Sequence, residues 1–148
     1  MDQSVDRNLL DNVILPVATE KDARVTAEQL AIYNPTRVTA LHVIEKGQGV
    51  PDKTPVEQSK ETAERSFAAV REEFPDADEH TMYARDVVGA IFEAAKEVDA
   101  SAIAYRSRSK NRIVQFLSGD LSLKLITKAD CPVIALPQVE TEKSEQIR

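Results

Sequence analysis

Short apolar runs alternate along this chain with longer stretches in which apolar positions recur every three or four residues. Residues 12–17 read NVILPV, an unbroken apolar run suited to a strand buried on both faces. Thr19 then caps a helix to about Tyr33, with Ala23, Ala27, Leu30 and Ala31 on one side. Asn34-Pro35 ends it, because proline restricts the residue before it and cannot continue the turn. Residues 38–44, VTALHVI, give a second buried strand, and residues 45–55 an exposed loop with two glycines and two prolines. Val56, Ala63, Phe67, Val70 and Phe74 are spaced seven, four, three and four apart. That is one apolar stripe on a long helix stopping before Pro75. Residues 80–85, HTMYAR, alternate in the manner of an edge strand. Ile91, Ala94, Ala95 and Val98 mark the inner face of a third helix. Residues 101–105 then form a fourth strand, 119–129 a fourth helix and 132–136 a fifth strand. Residues 139–148 are charged and lack an apolar period, which predicts a frayed tail.

Strands alternating with helices predict an α/β fold of right-handed βαβ units, its parallel sheet covered on both faces. No linker or internal repeat divides the chain. Residues 1–148 are expected to form one domain with its core over 10–137. At 148 residues it can bury about two-thirds of its unfolded surface without disulfides or a structural metal. A net charge of −6 speaks against nucleic acid or anionic membrane as a partner, since phosphate-driven affinity needs clustered Lys and Arg. Few aromatics and no Trp leave no base-stacking surface. The start, MDQSVDRNLLDN, is too polar for a secretory signal, and no apolar run approaches the roughly 20 residues of a membrane span. A cytoplasmic location is the expectation. Cys131 is the single cysteine and is expected to be a small buried residue opening the last strand.

The most informative stretch is residues 103–136, IAYRSRSKNRIVQFLSGDLSLKLITKADCPVIAL. With NVILPV at the start and ALHVIEK in the second strand, it resembles the universal stress protein family over about residues 10–137. The resemblance implies a flavodoxin-like or Rossmann-like single domain with a five-stranded sheet in the order 3-2-1-4-5. It also implies dimerisation through the fifth strand, at Pro132, Val133, Ile134, Ala135 and Leu136. In nucleotide-binding members a motif of Gly, two residues, Gly, nine residues, then Gly followed by Ser or Thr lines the pocket. The resemblance places the pocket positions at Pro16, Val17, Ala18, Val43, Arg106, Ser109, Gly119, Asp120, Leu121 and Ser122.

The spacing survives, but the chemistry mostly does not. Ala18 stands where relatives have an Asp that holds the adenosine end, and alanine accepts no hydrogen bond. Arg106 and Ser109 replace two glycines, so close backbone approach and easy positive φ are lost. Gly119 is kept. Asp120 replaces a phosphate-binding hydroxyl with a negative charge. Two unit charges 4 Å apart repel by about 4 kcal/mol at an effective dielectric near 20, against about 8 kcal/mol for micromolar binding. Asp120 is also content without a ligand, because a carboxylate in a helix's first turn is favoured by the dipole. Arg106, Arg108, Lys110 and Arg112 could draw in another anion; the plainer reading is a solvated basic loop that balances nearby acids.

No catalytic set stands out. His42 is expected to be a hydrogen-bonded structural residue, as is frequent in the family, and His80 to be solvated. Two separated histidines offer no metal spacing. Ser109, Ser118 and Ser122 lack a nucleophile-elbow pattern. The expected protein is therefore a universal stress-like stress-response protein with no cofactor and no enzymatic activity, acting through a homodimer and an unknown protein partner. The alternative is an ATP- or AMP-binding member acting as a nucleotide-dependent sensor.

Overall fold

The computed structural model describes residues 7–45, 54–106 and 119–137. In chain order the elements are β1 (Val13–Pro16), α1 (Glu20–Ala31), β2 (Val38–Glu45), α2 (Thr54–Glu73) and β3 (Asp78–Ala84). Then follow α3 (Val87–Glu97), β4 (Ala102–Arg106), α4 (Gly119–Thr127) and β5 (Val133–Leu136). The five strands are parallel and lie in the order β3-β2-β1-β4-β5. This is the flavodoxin-like arrangement that the sequence resemblance implied.

Because side chains alternate across a strand, the central strands feed two cores. Val13, Leu15 and Val17 join Ala23, Ala27 and Leu30 of α1 and Ala63, Phe67 and Val70 of α2 on one face. Ile14, Leu41, Val43, Ile103 and Tyr105 join Val87, Ile91, Ala94 and Ala95 of α3 and Leu125 of α4 on the other. All of these are at least nine-tenths buried.

Several boundaries differ from the sequence reading for local reasons. Helix α1 stops at Ala31, short of Tyr33: the Tyr33 and Asn34 N–H groups turn back to Leu30 and Ala31, and Asn34 takes a left-handed φ of 52°. Asn is among the few residues that tolerate that geometry. Strand β3 begins two residues early, at the exposed Asp78 and Glu79, because pairing with Thr39 and Ala40 of β2 fixes it rather than burial. Helix α4 ends at Thr127, whose hydroxyl donates to Leu123 O at 2.9 Å. Strand β5 begins at Val133; Pro132 lies just outside it, though its carbonyl accepts from Ile103 N at 2.9 Å. The expected basic loop at residues 107–118 and the tail at 138–148 lie outside the described residues, as does most of the loop expected over 45–55.

Candidate functional site

β1 and β4 pair at the centre of the sheet, and their following helices leave to opposite faces. The strand order reverses between them, and sheets of this kind hold ligands in the crevice beyond the strand ends at such a point. Pro16 and Val17 are buried there and Ala18 is half-buried. Val17 is tied to β2 through both of its backbone groups: its N–H donates to Leu41 O at 2.8 Å, and its carbonyl accepts from His42 Nδ1 at 3.2 Å. Burial pushes the His42 imidazole below its ordinary pKa, and the Val17 contact partly opposes the shift. Val43, one residue on, faces the opposite core beside Val87, Ile91 and Tyr105.

Thr19 caps α1, its hydroxyl accepting from Asp22 N at 3.1 Å. Asp22, in the same first turn, is 1% exposed. Its carboxylate turns back over the helix start to accept from Ala18 N at 3.0 Å, and it takes the Thr26 hydroxyl at 3.4 Å from within the helix. The third contact crosses the crevice. Arg106, the last residue of β4, brings Nη2 to 3.5 Å from Asp22 Oδ1. That separation is an ion pair rather than a short charge-assisted hydrogen bond.

Arg106 is 8% exposed, which corrects the expectation of a solvated side chain. By alternation it falls in phase with Ala104, on the α1 face, and its charge tolerates burial because Asp22 opposes it. The crevice at the end of β1 and β4 thus holds a guanidinium and a carboxylate supplied by the chain itself.

Gly119, Asp120, Leu121 and Ser122 form the opening of α4, beyond β4. Their side chains, and Ser109 altogether, lie outside the described residues. Two further expectations need correction. His80 is not simply solvated: its Nε2 is 3.1 Å from Glu97 Oε1 of α3 and its side chain is 28% exposed. Cys131 is only partly buried and sits before β5, not in it. Partial burial, helped by Asp130, pushes its thiol pKa up, away from the reactive thiolate. A surface cavity of about 260 Å³ lies beside it, lined by Arg7, Ser101, Asp130 and Pro132 among others. That cavity is at the amino ends of β4 and β5, the wrong end of a parallel sheet for the expected chemistry. Among the described residues no group of three His, Cys, Asp or Glu is placed to hold a metal, and no helix is long and apolar enough to cross a membrane.

Sequence reasoning missed Asp22. The signal was present: Asp22, Thr26 and Leu30 are spaced by four, so two polar residues share a helix face with a core leucine.

Fold and crevice together define a doubly wound parallel α/β domain whose strand-reversal crevice is spanned by an ion pair. Residues 10–137 match the universal stress protein family, and the chain belongs to that family. It is similar to a universal stress protein from Archaeoglobus fulgidus, at 26% identity and TM-score 0.62 over 85% of this chain and 93% of that one. The Archaeoglobus fulgidus universal stress protein solved in complex with dAMP is 24% identical, with TM-score 0.61 over 87% of this chain and 99% of that one. The universal stress protein UspA from Lactobacillus plantarum is 20% identical, with TM-score 0.61 over 86% and 97%. A universal stress protein in complex with cAMP is 18% identical, with TM-score 0.56 over 88% and 98%. No curated protein matches.

Proposed function

We propose that this universal stress protein works without ATP, as a homodimer joined along β5 that acts through contacts with other proteins in the cytoplasm. The observation that carries the reading is the buried Arg106–Asp22 pair at the end of β4 and β1. A nucleotide entering there meets an arginine side chain where relatives have a glycine. To gain the guanidinium's charge it must first displace a carboxylate. Ala18 adds no acceptor for the adenosine end, and no residue group described above has the arrangement of a nucleophile and its base. Exposed Leu123 and Ile126 on α4, and β5 at one end of the sheet among the described residues, support contact with another protein surface.

The second reading is a nucleotide sensor, favoured by the relatives solved with dAMP and cAMP. Two measurements separate them. Mass spectrometry of freshly purified, denatured protein detects carried nucleotide, and thermal shift with ATP or AMP at physiological magnesium detects binding. A ligand at a hundred times its dissociation constant adds about 2.7 kcal/mol, an easily seen shift. The ATP-independent reading expects neither carried nucleotide nor a shift; either one overturns it.

A further inference from the structure

Crevices at the reversal point of an open sheet usually seat a ligand's anionic group on main-chain N–H donors and basic side chains. In this protein three such donors among the described residues are engaged by one carboxylate. The Asp22 carboxylate accepts from Ala18 N at 3.0 Å and from Thr26 Oγ1 at 3.4 Å, and lies 3.5 Å from Arg106 Nη2. Ala18 and Thr26 lie four residues before and after Asp22 and are local partners, whereas Arg106 is brought to the same carboxylate from the end of β4 by the tertiary fold. We infer that Asp22 is a built-in anion. It occupies a seat for a small oxyanion, the carboxylate or phosphate group of a ligand, and keeps that seat closed in the free protein.

Capping does not account for the arrangement. The Thr19 hydroxyl already receives the Asp22 N–H. A carboxylate at this third helical position ordinarily returns to the N–H of the capping residue. Here it reaches one residue further, to Ala18, and is placed to meet the arginine. The consequence is regulatory: an anionic ligand enters this seat only by exchanging with Asp22 on Arg106. The inference rests on the reading of the crevice as filled, but it is tested separately from nucleotide binding.

The test is chemical rescue of Asp22→Ala in the full chain. The alanine keeps Cβ and removes one carboxylate, the volume that formate restores. Melting temperatures are measured in sodium formate, acetate or phosphate against sodium chloride at matched ionic strength. The expected result is that Asp22→Ala melts well below the native protein in chloride and regains most of the loss, saturably, in formate. The native protein and an Asp22→Ala, Arg106→Gln double variant should show no response beyond that to chloride. If Asp22→Ala does not fold in chloride, its refolding yield in formate against chloride reads the same exchange. A variant whose melting or refolding follows ionic strength alone, whatever the anion, overturns the inference. An ATP-induced shift of the native protein would instead overturn the ATP-independent reading and leave the formate comparison to decide the seat.

Discussion

Changing Arg106 to glycine, the residue that nucleotide-binding relatives carry at this position, removes one member of a buried charge pair. Asp22 is 1% exposed in the native protein, and breaking a buried pair from one side costs about 3–5 kcal/mol. Chemical denaturation should therefore show Arg106→Gly strongly destabilised, and Asp22→Asn combined with it less so than the sum of the two changes. Strict additivity would mean that the two side chains are not energetically coupled. The same argument limits any repair of the nucleotide site. Restoring Ala18→Asp, Arg106→Gly, Ser109→Gly and Asp120→Ser should give ATP binding only when Asp22 is also replaced, because the fourfold change leaves its carboxylate in the crevice. A stable fourfold variant that binds ATP with Asp22 intact would refute this. His42 makes a pH prediction of definite sign. Its folded pKa is lowered from the ordinary value of about 6.5, so near and below that pH the unfolded chain takes up a proton that the folded chain resists. Its contribution is full above about pH 6.5 and is lost as pH falls through the unfolded value towards the folded one. Urea midpoints between about pH 5 and 7.5 should fall more steeply towards acid in the native protein than in His42→Gln; parallel profiles would assign the fall to other groups.

Helix ends show where the sequence was legible and where it was not. The Thr19 cap and the Asn34-Pro35 stop could be read because capping and proline chemistry act locally. Strand order became legible through family resemblance, since periodicity gives strands but not their neighbours. Arg106 and Asp22 could not be paired from sequence, because the four-residue spacing puts Asp22 on the core side of α1 but does not say that the sheet brings the end of β4 beside it. Cys131 was misplaced because the strand ladder begins two residues later, at Val133. The start of α3 was also missed: Asp86 caps it, its Oδ1 accepting from Gly89 N at 3.1 Å. A Cβ on Gly89 would stand 2.6 Å from Asp86 Oδ2, so Gly89→Ala must push the capping carboxylate aside. Losing the cap costs about 1 kcal/mol, and alanine for glycine inside a helix returns about 1 kcal/mol. Gly89→Ala should thus be nearly neutral in the native background and stabilise by about 1 kcal/mol in an Asp86→Ala background. An equal effect in both backgrounds, measured by denaturant midpoint, would show that the carboxylate moves without cost.

At the scale of the whole molecule the unsolved problem is the outer edges of β3 and β5, which pair with no further strand among the described residues. β3 blunts its edge with Asp78 and Glu79, both exposed. β5 has no charged residue at all: Val133 and Ile134 are half-buried, Ala135 is exposed and Leu136 is buried. An uncharged edge with free N–H and C=O groups invites pairing, and pairing with a second copy about a two-fold axis closes it without further growth. The register identifies which groups are free. Ile103 N bonds Pro132 O and Ile103 aligns with Val133, so in a parallel ladder the N–H groups of Ile134 and Leu136 point to β4. Those of Val133 and Ala135 point outward. Lysine at Val133 or Ile134 would be an ambiguous probe, because both side chains also pack on the cores of their own subunit. Ala135→Pro is cleaner: it removes one outward donor from an exposed position, and proline is tolerated on an edge strand when its missing N–H faces away from the ladder. Light scattering of the native protein should give about twice 16.4 kDa, and Ala135→Pro should shift the mass towards one chain with little change in the melting temperature of the dilute protein. Leu123→Glu with Ile126→Glu should weaken the dimer further if α4 flanks the same contact. A native chain that stays at the single-chain mass at high micromolar concentration would rule out the β5 dimer, and an Ala135→Pro variant that remains fully dimeric would move the interface elsewhere.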